Sequence, residues 1–238
     1  LKKAELKRLY GIVHASTYDN EANLPDDYID SMLATYPLQL IDAYIDGKFV
    51  NLTTGTIYGM FDRKKNNCRD VITEEDTVLH IGMDFNVGKM AAIVHVLRPQ
   101  KCFIMNSKTK ILELKEVGMP RAVDEIIDAY DTPDIIRIIK ERYWKYDEKD
   151  GRYKQTKQIR VYPDASGNSR KSVNASETDL KLLTQAGFRV ITNYDNSPVK
   201  DRINSVNAMF CNALGERRYK VNVEKCPTYT ECREHQAW

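Results

Sequence analysis

The sequence predicts an α/β fold: a mixed sheet, an antiparallel meander followed by parallel strands, with helices on both faces. Three observations predict it. From Val78 the order reads strand, strand, strand, helix, strand, helix, strand, helix. Val78–Asp84 and Lys89–Leu97 are apolar runs that flank a short turn, Phe85–Gly88, as two antiparallel strands do. Ile159–Tyr162 and Phe188–Thr192 then alternate with helical stretches, the pattern of βαβ crossovers.

The chain ahead of Val78 reads differently. Leu1–Tyr10 is expected as a short basic helix and Ile12–Ser16 as a short strand. Leu24-Pro25-Asp26-Asp27-Tyr28 has the marks of a helix start: Pro in the first turn, and acids near the positive end of the dipole. Tyr36-Pro37 ends that helix, because a residue before Pro avoids the helical region. Pro37–Ile45 forms a second short helix, ended at Asp46-Gly47. Lys48–Leu52 and Thr56–Phe61 read as short strands, and the polar stretch Arg63–Asp76 as a linker. The expected division is therefore 1–76 and 77–238.

Within the second unit, Lys101–Asn106 and Ile111–Val117 extend the sheet around a turn at Ser107–Lys110. Ala122, Ile126, Ile127 and Tyr130 recur at helical spacing, as do Ile135, Ile136, Ile138, Ile139 and Tyr143. Thr132 is the expected N-cap of the latter helix, with Pro133 at its first position. Tyr146–Thr156 reads as a charged loop. Ala165–Ala175 is a small, polar loop, and Ser176 with Asp179 makes an approximate capping box for a helix through Leu183. Pro198 starts the next helix, Tyr219–Val223 is a last short strand, and Cys226–Trp238 reads as helical.

Composition narrows the function classes. The 238 residues are 42% hydrophobic and 29% charged, ordinary for a soluble globular protein. No apolar run approaches the roughly 18 residues that span a bilayer, so no membrane association is expected. Five cysteines form no C-x-x-C pair, and the four histidines form no H-x-x-x-H pair. A disulfide framework and a zinc site are both disfavoured, and a reducing cytosol fits. A net charge of +2 is too small to imply nucleic acid, so any basic surface is local.

Three acids share one kind of position. Asp84 ends the first strand, Asp164 ends the strand after the long helical stretch, and Asp201 sits in the first turn after Pro198. The strand order sets Asp84 and Asp164 side by side, and the following helix can bring Asp201 over the same end. Singly, each has a structural role open to it, as a turn residue or as an acid at a helix start. Together, converging carboxylates repel unless cations bind, and hard divalent ions suit oxygen ligands. Two such ions about 3.5–4 Å apart can activate a water and stabilise the leaving oxygen of a phosphodiester. Basic residues flank these acids: Arg152, Lys154, Lys157, Arg160, Arg170 and Lys171 around Asp164, with Lys200 and Arg202 beside Asp201. A solvated charged surface and a seat for a phosphate backbone both fit that clustering.

Ile81-Gly82-Met83-Asp84-Phe85-Asn86, Val161-Tyr162-Pro163-Asp164-Ala165-Ser166-Gly167 and Pro198–Asn207 resemble the C-terminal nuclease domain of tailed-phage terminase large subunits. That resemblance covers Val78 to about Val223 and implies a ribonuclease-H-like fold. The implied activity is metal-dependent endonucleolytic cutting of concatemeric double-stranded viral DNA during genome packaging, in the host-cell cytoplasm. Asp84, Asp164 and Asp201 would be the metal-binding carboxylates for two Mg²⁺ or Mn²⁺ ions. Asp84 is expected to bridge the ions, and Asp164 and Asp201 to hold one each. The terminase small subunit and the portal protein are the implied partners. Ala15–Asn20 and Ala43–Val50 resemble the end of the packaging ATPase domain and its linker. No G-x-x-x-x-G-K-[ST] occurs, so the chain is expected to be a fragment of a larger protein without an ATPase core. A junction resolvase or transposase-type nuclease, an actin-like or sugar-kinase-like ATP-binding domain, and a non-catalytic DNA- or portal-binding module remain the alternatives.

Overall fold

Strand β1, Val78–Asp84, is the centre of a six-stranded sheet in the computed structural model, which describes residues 13–48, 55–85, 89–106, 108–109, 111–163, 173–192 and 197–237. Its burial alternates strictly: Leu79, Ile81 and Met83 are buried, while His80 and Gly82 are half-buried. Alternation of this kind means each face of the strand meets a different environment.

On one side β1 pairs antiparallel with β2, Met90–Met105, which pairs antiparallel with β3, Leu112–Ala129. On the other side it pairs parallel with β6, Gln158–Pro163, which pairs parallel with β7, Arg189–Val190. A last strand, β8, Lys220–Val221, runs parallel to the far edge of β3. The order across the sheet is β7-β6-β1-β2-β3-β8. A separate hairpin joins β4, Lys145–Asp147, to β5, Arg152–Lys154.

Helices cover both faces. On one, α3 (Thr132–Tyr143) and α4 (Val173–Gln185) pack on Leu79, Ile81, Val94, Ile159 and Val161 through Ile135, Ile139, Tyr143 and Leu183. Each fully buried Leu or Ile there contributes about 1.5–3 kcal/mol. On the other, α5 (Val199–Phe210) and α6 (Pro227–His235) pack near Ile93, Ala122 and Val221, with Phe210 stacked on Tyr219 at 5.0 Å.

Several expectations are corrected. Ala122–Ala129 is strand, not helix. β3 is irregular against β2: Val94 pairs with Asp124 but His95 with Ala122, and Met90 pairs with Ala129 but Ala92 with Ile126. Each step leaves an extra β3 residue, and Asp128 takes φ +60° at the second. These bulges put Val123, Ile126 and Ala129 on one face at a spacing of three, which imitates a helical repeat. Lys101–Met105 is the continuation of β2 rather than a separate strand, and most of the expected loop Tyr146–Thr156 belongs to the β4–β5 hairpin, which starts at Lys145. Asp131, not Thr132, caps α3, accepting from the Asp134 amide at 2.9 Å. Ser176 lies inside α4, which begins at Val173, and the Asp179 carboxylate accepts from the Thr132 hydroxyl at 2.8 Å.

Ahead of the sheet, residues 13–16 are not strand, where Ile12–Ser16 was expected as one, and a 3₁₀ helix at Thr17–Asn23 opens with a Ser16–Asp19 capping box. Helices α1 (Tyr28–Thr35) and α2 (Leu38–Tyr44) follow, broken at Tyr36-Pro37 as expected. Gly47 has φ +62°, and a Cβ there would lie 2.5 Å from the Ala15 carbonyl oxygen, so the turn requires glycine. Leu1–Tyr10 and most of Lys48–Leu52 lie outside the described residues. Thr56–Phe61 is a turn with one bridge, Thr56 to Ala237, not a strand. Arg63–Asp76 is bound down: Arg98 grips Asp76 and the Val71 carbonyl, and Asn66 is fully buried.

Candidate active site

The site is built from the carboxyl end of β1. Asp84 is exposed there, on the same face as His80 and Gly82. Its neighbour on β2 is Ala91, a side chain too small to cover it. The parallel register pairs Gly82 with Tyr162 and Met83 with Pro163, the last described residue of β6. Asp164, next in sequence, lies outside the described residues, as do Arg170 and Lys171. Asp201 is exposed in the first turn of α5, where Pro198 occupies the N-cap position and accepts from the Asp201 amide at 3.0 Å. Among the described residues no group of three or more His, Cys, Asp or Glu is placed to hold a metal ion, a set that excludes Asp164.

Helix α5 is held from its far end. Asn207 accepts from the Met60 amide at 3.2 Å and donates to the Ile57 carbonyl at 2.8 Å. Asn66 donates to the carbonyls of Phe210 and Tyr219 at 2.9 and 3.0 Å. Asn212, just past the end of the helix, donates to the Ala34 carbonyl of α1 at 3.0 Å. The segments ahead of the sheet therefore set the position of the helix that carries Asp201.

The basic residues divide by what they touch. Lys154 is paired with Asp147 and, at 2.9 Å, with Asp150. Lys157 turns inward, donating to the carbonyls of Thr73 and Asp76 at 2.6 and 2.8 Å, so it anchors the approach to β1. Arg160 lies on β6, on the face of His80. Arg152, Lys200 and Arg202 are exposed.

A polar chain on the same face was not anticipated. His95, inside the apolar run of β2, has Nδ1 at 3.2 Å from the His80 carbonyl oxygen and Nε2 at 2.7 Å from the Tyr219 hydroxyl. Burial holds the His95 imidazole down to about 4. Glu125, the β3 partner of Ile93, accepts from the Thr228 and Tyr229 amides at the start of α6, at 3.0 and 2.8 Å. The only sequence signal for either was a polar residue inside an apolar run.

No protein-family model matches the chain, and no curated protein and no solved structure matches it.

Proposed function

We propose that the chain is a metal-dependent endonuclease of ribonuclease-H-like fold acting on double-stranded DNA, with Asp84, Asp164 and Asp201 as its catalytic carboxylates. The observation that carries this reading is the position of Asp84. It stands exposed at the carboxyl end of the central strand, one residue past Met83, whose parallel partner Pro163 precedes Asp164. The strand order β7-β6-β1-β2-β3, with an antiparallel meander beside two parallel strands, supports the fold assignment. The likeness of the three Asp-bearing motifs to the terminase nuclease domain supports the substrate, and genome packaging is the setting that likeness suggests.

The donor set fits hard divalent cations: all three groups are carboxylates, and the two described ones are exposed to solvent. Asp84, Asp164 and Asp201 would hold Mg²⁺ or Mn²⁺. When bound, such ions activate water and stabilise the leaving oxygen of a phosphodiester. The chain itself contributes position. Met83 and Leu79, locked in the core, fix the direction in which β1 delivers Asp84. Asn207 and Asn66 fix α5, and with it Asp201.

Plasmid cleavage tests the reading. Wild type with Mn²⁺ or Mg²⁺ is expected to nick and linearise plasmid, EDTA to abolish this, and Asp84→Asn to lose it by at least about 10²-fold, as expected for a metal ligand (~3 kcal/mol of barrier). Undiminished cleavage by Asp84→Asn would remove Asp84 from the site. Absence of cleavage by wild type under every metal condition, with DNA binding retained, would replace the nuclease with a DNA-gripping module.

A further inference from the structure

The half of the sheet made by β1, β6 and β7 carries a row of nitrogenous side chains. His80 is the register partner of Arg160, and Arg160 is the register partner of Arg189. Register partners on adjacent strands project to the same face. Leu79, Ile159 and Val161 go to the opposite face, under α3 and α4. The row therefore lies on the face of Asp84, on the side away from Ile93 and Ala122, where α5 and α6 pack. With strands about 4.8 Å apart, it spans about 10 Å across the sheet.

This face is open enough to be touched. Arg189 and Tyr162 are exposed, and His80 and Arg160 are half-buried. Between His80 and Asp84 stands Gly82, where a Cβ would meet nothing within 4 Å. Tyr162 closes the end of this notch, its hydroxyl 2.8 Å from His80 Nδ1 and its ring stacked on the imidazole at 5.8 Å.

The charge arrangement is costly for folding alone. Two arginines in direct cross-strand register repel. Among the described residues neither is in an ion pair, and Arg160 makes a 3.3 Å bond to the Gln158 amide oxygen. An anion across the row relieves that repulsion. His80 Nδ1 shares a hydrogen bond with the Tyr162 hydroxyl, and in the tautomer in which Nδ1 accepts, Nε2 carries the ring proton as a third donor.

We propose that His80, Arg160 and Arg189 form a phosphate track that seats the backbone of a DNA strand across the sheet and leads it past Gly82 to Asp84. The proposal deepens the nuclease reading, and its binding arm stands apart from cleavage. It assigns positioning to Arg189 and His80, which no motif singled out.

The test is fluorescence anisotropy with a labelled DNA duplex of about 30 base pairs, in EDTA, across a KCl series. The proteins are wild type, Arg160→Gln/Arg189→Gln, Asp84→Asn and, as a control on α3, which covers the opposite face, Arg137→Gln. The double variant removes a repulsion, so its thermal melt is expected to match wild type and to certify folding. Its affinity at about 100 mM salt is expected to fall about tenfold or more, and its log–log salt slope to flatten by about 1.8, or about 0.9 for each phosphate no longer neutralised. Arg137→Gln is expected to leave both unchanged. Wild-type affinity and slope in the double variant, or a wild type that binds no duplex, overturns the track. If Asp84→Asn and wild type bind alike but neither cleaves with metal, the nuclease reading fails and the track stands. If the double variant cleaves and binds like wild type, the track fails and the nuclease stands.

Discussion

His95 Nε2 accepts the hydroxyl proton of Tyr219 across 2.7 Å. The direction follows from the other end of the ring. His95 Nδ1 faces the His80 carbonyl, which only accepts, so Nδ1 carries the proton and Nε2 carries the lone pair. Tyr219 is then free to accept from Tyr229, also at 2.7 Å. A second proton on His95 would set two donors against each other and break the chain.

That geometry makes stability depend on pH. The imidazole sits near 4 in the folded protein and near 6.5 in the unfolded chain. Between those values the unfolded chain binds a proton that the folded one excludes, so stability is full above pH ~6.5 and falls as pH drops toward 4. The loss is at most ~3 kcal/mol. Urea unfolding at pH 7, 6 and 5 measures it, and His95→Gln is expected to flatten the slope. An unchanged slope would show that His95 does not titrate in this way.

Asp76 acts at lower pH. The Arg98 guanidinium, bonded to both of its carboxylate oxygens, pulls it down to about 2. Its contribution is present above ~4 and is lost as pH falls through 2. Arg98→Ala is expected to move this acid limb of the stability curve upward and leave the limb between pH 5 and 7 in place.

Glu125 serves α6 as a cap supplied from another element. Cys226 at the N-cap offers no side-chain bond, and Glu125 takes the two amides instead. Glu125→Ala is expected to cost about 1–2 kcal/mol, read as a lowered Tm, with faster amide exchange at Thr228 and Tyr229. Unchanged exchange there would refute the capping role.

Asn66 joins three segments while fully buried. It donates to Phe210 and Tyr219, and its carbonyl oxygen accepts from the Asp62 amide at 3.0 Å and from Arg217. Asn66→Ala leaves several of these groups unsatisfied and is expected to cost about 2–4 kcal/mol in denaturant unfolding. Asn66→Asp is expected to cost at least as much, since a carboxylate donates to neither carbonyl.

Asp128 bears the bulge in β3 at φ +60°. Asp128→Gly is expected to be neutral or stabilising by up to about 1 kcal/mol, and Asp128→Val to destabilise by about 1–2 kcal/mol. The two melts moving in the same direction would show that the bulge relaxes instead.

Short-range signals determined much of this protein. Val78–Asp84 is strand in the structure as in the sequence, because a continuous apolar run ending in an acid is a local pattern. The break at Tyr36-Pro37 and the start of α5 after Pro198 follow from the fixed φ of proline, and Gly47 from its freedom. The alternation of strands and helices after Tyr130 was enough for a mixed sheet covered on both faces. Tertiary structure decided what pairing decides. Ala122–Ala129 carries helical spacing, but β2 is there to pair with it, and two bulges reconcile the spacing with a strand. Lys157 reads as a surface cation until the Thr73 and Asp76 carbonyls arrive beside it. Asn66 is one polar residue in a polar stretch until Phe210, 144 residues away, supplies its carbonyl. His80, Arg160 and Arg189 are unrelated in sequence and become one row only when three strands align. Local conformational preference is written residue by residue, whereas hydrogen-bond satisfaction and charge proximity depend on partners that the chain brings together only by folding.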